Sequence, residues 1–235
     1  MANPGRVDLH VARFPGCSSV HPPNVEVINR YLPAHGEPRD TVQVVEYAST
    51  TLDQAVGDLG ISADFLKLDT QGSEFEILTG SEQSLEGAIF GAVIETWTSE
   101  VHSGQALTGD VMRIMTDRGF SLFDISVAAA WERRAARGLE LGGRRQVVGL
   151  DLLFFKEPAL LKGDSQLIKA AAIADVYGYP DFALQILENV DLEVAVQLSD
   201  ALINHPNPSP PRKTRPWFRR DNSDTVDEQF ARLHY

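Results

Sequence analysis

Two acids end two apolar runs in this chain. In residues 64–80, DFLKLDTQGSEFEILTG, an apolar stretch stops at Asp69, passes through Gly72 and resumes at helical spacing. In residues 88–97, AIFGAVIETW, a second apolar stretch reaches Glu95. If both runs are neighbouring strands, Asp69 and Glu95 face one crevice at the carboxyl ends of a sheet, where open α/β sheets bind their ligands. A carboxylate there can take a proton from a hydroxyl group or hold a ligand's hydroxyls. Asp69 is the leading cleft carboxylate, touching cofactor or acceptor; its alternative use is to bond the turn amides near Gly72. Gly72 itself permits a turn conformation or a close backbone approach. Glu74 either lines the cleft or is a first-turn acid beside a helix dipole, and Glu76 is assigned to helix capping.

His102, in EVHSGQ just beyond Glu95, is a further candidate base, its alternative being an exposed loop histidine. His10 and His21 flank PGCSS without neighbours at ligand spacing and are read as structural. The six histidines form no HxxxH or HxH pair, so no metal site is expected. Cys17 lies in no nucleophile motif. Trp97 and Trp131 either cover an apolar acceptor or fill core or interface.

The elements that must position these groups are legible from period and punctuation. ADFLKL suits a strand buried on both faces. Phe75, Leu78 and Leu85 then recur at i, i+3 and i+10, and Ser73 with Glu76 fits a capping box. TVQVVEYA is a strand, and TTLDQAVGDLG a helix with Thr51 and Gln54 as its box and Leu52, Ala55, Val56 and Leu59 as its apolar face. GDVMRIMTDRGF is a helix closing near Gly119, followed by strand FSLFDI. QVVGLDLLFFKE is a long last strand, for which a long loop rather than a helix suggests antiparallel pairing. Residues 6–30 look extended around turn chemistry in PGCSSVHPPN. Alternating strands and helices point to a parallel or mostly parallel sheet. Residues 159–204 look helical throughout, with Pro180 starting one helix and Asp191 capping another. From NHPNPSPPRKTRPW onward proline and charge dominate, as in a flexible tail.

The chain has 235 residues, 43% of them hydrophobic, one cysteine and a formal charge of −12. That balance argues against nucleic-acid and anionic-membrane partners. A single cysteine excludes an internal disulfide. No apolar run spans a bilayer and MANPGRVDLHVARF is not a signal peptide, so the expected location is cytoplasmic.

Three stretches together resemble the FkbM family of S-adenosylmethionine-dependent methyltransferases: VDLHVARFPGCSSVHPPN, TLDQAV with ADFLKLDTQGSEFEILTG, and the ordered run from VIETW through GLDLLFFKE. The resemblance covers roughly residues 6–157. It implies an α/β fold, a Rossmann-like class I methyltransferase sheet that is N-terminally truncated, with residues 1–157 as the methyltransferase domain. Residues 158–205 form a small C-terminal helical appendage and 206–235 a tail. The implied reaction is O-methylation of a sugar, glycolipid or secondary-metabolite hydroxyl, with S-adenosylmethionine as cofactor and a small molecule or glycan as acceptor. Catalytic roles then fall to Asp69, Glu95 and His102, and cofactor contacts to Asp69, Gly72 and Glu74. Class I enzymes grip the cofactor with a first strand and glycine-rich turn, then an acid ending the second strand. Neither VGDLG nor GLELGGRRQ has the strand-to-helix setting such a turn needs. The expectation is therefore that a partner chain, a second copy or a start upstream of Met1 completes the sheet. The alternative is a non-catalytic α/β binding module. A dehydrogenase lacks the matching strand signature. A sheet without its first strands exposes an edge and an apolar face, so self-association is expected.

Overall fold

The structure, a computed structural model, describes residues 1–135, 144–190 and 193–204. Its elements in order are β1 (Gly5–Ala12), α1 (Val25–Ile28), α2 (Pro33–Gly36), β2 (Thr41–Ser49), α3 (Leu52–Leu59), β3 (Phe65–Leu68), α4 (Glu74–Thr79), α5 (Glu82–Glu86), β4 (Gly91–Trp97), α6 (Thr108–Thr116), β5 (Phe120–Trp131), β6 (Gln146–Lys156), α7 (Asp164–Val176), α8 (Pro180–Leu187) and α9 (Glu193–Asn204). The tail, the paired glycines of GLELGGRRQ and Asp191 lie outside the described residues.

β3, β4, β6 and β5 form one sheet in that order, while β1 and β2 pair antiparallel in a separate two-stranded sheet. β3 and β4 run parallel, and β6 runs antiparallel to both β4 and β5. The expected antiparallel last strand is therefore present, but the sheet is mixed rather than mostly parallel. The cause is that β6 inserts between β4 and β5 instead of following a helical crossover, which parallel pairing requires.

The pleat sorts side chains onto two layers. Leu66, Leu68, Ala92, Ile94, Leu152 and Phe154 meet Leu78, Leu85, Val111, Ile114 and Met115 of α4–α6 on one face. Val93, Leu153 and Phe155 meet Leu167, Ala170, Ala171 and Ala174 of α7, and Phe182, Ala183 and Ile186 of α8, on the other. The alanine run of α7 lets that helix lie close to the sheet. A third cluster joins Val27, Ile28 and Tyr31 to Trp97, Val101 and Trp131.

Three local expectations need correction. β3 is the sheet's edge and only Leu66 and Leu68 are buried; Lys67 is exposed and Phe65 half-covered by Tyr177, so the strand is not buried on both faces. Ser73 and Glu76 form no capping box: the Ser73 hydroxyl donates to Thr70 Oγ1 and Glu76 bonds His21 instead. α3 is capped by Thr51 as expected, but none of its apolar residues is fully buried, and Leu59 is 70% exposed. What anchors α3 is Asp53, whose carboxylate accepts from the backbone N–H groups of Gln83 and Ser84 at the start of α5, each 2.8 Å. The edge of β3 and the outer face of α3, with Leu59 and Ile61, are left exposed.

Candidate active site

Register brings the strand-end acids together. Ile94 pairs with Leu68 and Glu95 with Asp151, so Asp69, Glu95 and Asp151 stand side by side where β3 and β4 end. Lys67 Nζ lies 3.2 Å from Asp151 Oδ1 and 3.7 Å from Asp69 Oδ2, tying the outer two acids. Glu95 is only 8% exposed. Burial, followed by the charge and hydrogen bond of Asp69 and the charges of Glu74 and Asp151, pushes its carboxyl up to about 9. Glu95 therefore keeps its proton at neutral pH, because burial and then the neighbouring carboxylates disfavour its charged form. The Asp69 side chain remains 38% exposed, open to a ligand.

Gln71 joins the two acids: its Nε2 donates to Glu95 Oε2 at 2.8 Å and lies 3.4 Å from Asp69 Oδ1. Its backbone sits in the left-handed region, φ 57°, which costs an L residue roughly 1–2 kcal/mol. Ser19 holds that conformation by donating its hydroxyl to the Gln71 carbonyl at 2.7 Å, while Ser18 accepts from the Ala12 N–H at 3.1 Å. The two serines of the PGCSS turn thus brace the acidic turn from the β1 side. Gln71 Oε1 is buried and has no partner.

Gly72 is required twice over. Its φ is 110°, and a Cβ there would lie 3.3 Å from Gln105 and 3.5 Å from His102 Nδ1. Glu74, 3% exposed, points back into the turn, accepting from Thr70 N at 2.7 Å, Thr70 Oγ1 at 3.0 Å and Gly72 N at 3.0 Å. Burial nevertheless raises its pKa, against the pull of those hydrogen bonds. Both of its oxygens and the Gly72 N–H are thus engaged inside the turn, whereas Asp69 is left exposed.

His102 is not an exposed loop residue. It is 1% exposed, edge-on to Trp97, with Nδ1 3.2 Å from Gln105 Oε1. Burial first, and the Arg39 charge second, bring its pKa down to about 4, so the ring is neutral. The backbone of its loop pairs with residues 22–24, Asn24 N–H donating to Val101 O and Ser103 N–H to Pro22 O. Trp97 and Trp131 are buried, 2% and 5% exposed, and fill core rather than cover a cleft.

Some neighbours of the strand-end acids and their turn had weak or no sequence signal. Glu76, assigned to capping, instead bonds His21: Oε1 lies 3.0 Å from Nε2 with both side chains mostly buried. That contact raises the His21 pKa; burial opposes a fall at Glu76, but the histidine's hydrogen bond carries it below its usual value. Spacing could not show a pair 55 positions apart. Asp151 hid inside an apolar run, and only its register with Glu95 reveals it. Arg39, whose guanidinium lies 4.5 Å from the Trp131 ring and 5.5 Å from Trp97, carried no signal.

Compared with known proteins, residues 10–122 match the family described as the Methyltransferase FkbM domain. No curated protein and no solved structure matches the chain. The matched stretch contains the serine brace, Asp69, Gln71, Gly72, Glu74, Glu95 and His102, and stops inside β5 before β6 and α7–α9. Across residues 10–122, just under half of its length, the chain is therefore similar to the FkbM methyltransferase domain.

Proposed function

We propose that the ends of β3 and β4 are the reaction centre of an S-adenosylmethionine-dependent methyltransferase acting on a hydroxyl of a small molecule or glycan. The observation that supports it most is the acid–amide cluster: exposed Asp69 beside protonated Glu95, bridged by a strained Gln71 with an unused oxygen. Strained turns of this kind gather at functional sites. The site suits the hydrogen-bond donors of such a cofactor or of a hydroxyl acceptor, which the exposed Asp69 carboxylate would accept. It does not suit groups needing amide donors, because Glu74 occupies the N–H groups of Thr70 and Gly72.

The cofactor supplies an electrophilic methyl group. In this reading the acceptor O–H donates to Asp69, which takes the proton as the oxygen becomes methylated. Glu95 holds its own proton toward Asp69 and keeps the neighbouring charge low. Gln71 fixes the spacing of the two carboxyls, and His102, neutral and packed under Trp97, positions the loop rather than accepting the proton. Orientation of the hydroxyl supplies much of the rate.

A second reading, a binding module without turnover, is favoured by one observation: among the described residues no strand leads through a glycine-rich turn into a helix, other than the turn at Gly72 whose amide is already used. The two readings separate by the side-chain amide signal of Gln71 in an NMR titration with S-adenosylhomocysteine. A saturable shift that disappears in Asp69→Asn supports the reaction centre. Shifts confined to other parts of the chain would overturn it.

A further inference from the structure

A cleft of about 640 Å³ opens between the edge strand β5 and the start of α8, lined by Phe123, Tyr179 and Phe182 together with Glu157 and Asp181, both exposed. It lies at the far end of the sheet from the strand-end acids: Ser121, on its wall, pairs with Phe155, which in turn pairs with Gly91 where β4 begins. Phe123 is the extra residue of a β-bulge between Leu122 and Asp124 and falls outside the ladder to β6. Bulges re-aim side chains at sheet edges. Here the Tyr179 hydroxyl donates to the Phe123 carbonyl at 3.1 Å and ties the two residues together. Their rings meet at 90° with centroids 5.2 Å apart, forming two walls of a corner, and Phe182 packs on Phe123 at 4.5 Å. The charges around this corner are of one sign. Among the described residues no lysine, arginine or histidine lines the cleft. Nor does Glu157 or Asp181 form an ion pair among those residues. Ser121 Oγ donates to one oxygen of Glu157, and the Phe182 N–H donates to one oxygen of Asp181 at 3.0 Å. Burial, then the charges of Asp124 and Asp181, raises the pKa of Tyr179, which places a third acid near that ring.

We propose that this cleft binds a small molecule carrying an alkylated ammonium group, such as a quaternary amine. The cation lies against Phe123 and Tyr179, whose ring electrons attract it, while Asp181 and Glu157 neutralise its charge. Alkyl groups on the nitrogen match aromatic walls, whereas a metal ion needs several oxygen ligands. Among the described residues no cluster of acids, histidines or cysteines is built to hold one. The volume is in the range of small-ligand sites. The site shares no residue with the proposed reaction centre, so it stands whether or not the chain transfers methyl groups.

The test is an NMR titration of the full chain, following the ring signals of Phe123 and Tyr179, with choline and its neutral carbon isostere dimethylbutanol as probes. Choline should shift both rings saturably, with a dissociation constant of about 1 mM or tighter. Dimethylbutanol, which has the shape without the charge, should bind roughly fivefold or more weakly. In the double variant Asp181→Asn with Glu157→Gln, each amide oxygen can still accept from the Phe182 N–H or from Ser121, so the local bonds stay while both charges go. Choline should then bind roughly fivefold or more weakly than to wild type. Equal affinity for the two probes, no saturable shift of either ring, or unchanged choline affinity in the double variant would overturn the proposal.

Discussion

Replacing Glu95 by glutamine tests the buried proton directly. The amide is isosteric, can accept from Gln71 Nε2 and can donate to Asp69. The wild-type carboxyl, raised from 4.5 to about 9, binds a proton in the folded state that the unfolded chain releases above pH 4.5. The folded state thus holds more protons across that window, and stability falls as pH rises through it, levelling only near the folded value. Each pH unit inside the window costs about 1.4 kcal/mol from this group. Glutamine carries no such term. Urea denaturation at about pH 5.5, 6.5 and 7.5 should show the variant gaining on wild type by up to ~2.7 kcal/mol over the two units. Differences cancel the other titrating groups shared by both proteins. Parallel pH profiles would mean that Glu95 is ionised when folded, and would refute the assignment of its proton.

The remaining predictions concern the turn, its brace and the open edge. Gly72→Ala should destabilise by roughly 1–3 kcal/mol, because alanine resists φ 110° and its methyl meets Gln105; urea melts read the loss, and an unchanged midpoint would contradict the geometry. His21→Ala should destabilise most at pH 5–6, in rough terms by about 1 kcal/mol: the raised histidine stabilises below its unfolded pKa and loses this as pH rises through the folded one, while lowered Glu76 loses its part as pH falls below 4.5. A loss equal at about pH 6 and pH 9 would contradict the pair. The chain should elute larger than its 25.8 kDa monomer through the edge of β3 and the exposed Leu59 and Ile61, and Leu59→Ser with Ile61→Ser should return it to monomer; a clean wild-type monomer would contradict this.

Long, strongly patterned segments were legible from the chain alone. The strands at 65–68, 91–97 and 146–156 and the helix start at Pro180 follow from apolar runs and proline, and the antiparallel last strand from its long preceding loop. The placement of Asp69 and Glu95 at adjacent strand ends followed from the same pattern. What failed did so for tertiary reasons. The Ser73–Glu76 spacing satisfies a capping box, but Glu76 gains a half-buried histidine 55 positions away, and Glu74 takes the turn amides instead. His102 looked exposed because its loop is polar, and only pairing with residues 22–24 buries it. Gln71 carries no rule that puts it in a left-handed conformation; Ser19, far upstream, enforces it. The sheet's mixed order depends on where β6 inserts, which no local period encodes.

The central claim is that Asp69, Gln71 and Glu95 form the reaction centre of a methyltransferase. Calorimetric titration of the 235-residue chain with S-adenosylhomocysteine tests it most directly. The account predicts saturable binding, with a dissociation constant of about 10 μM to 1 mM, weakened at least fivefold or so in Asp69→Asn. A folded chain that takes up no S-adenosylhomocysteine, or an Asp69→Asn variant that binds it as tightly as wild type, would contradict the claim.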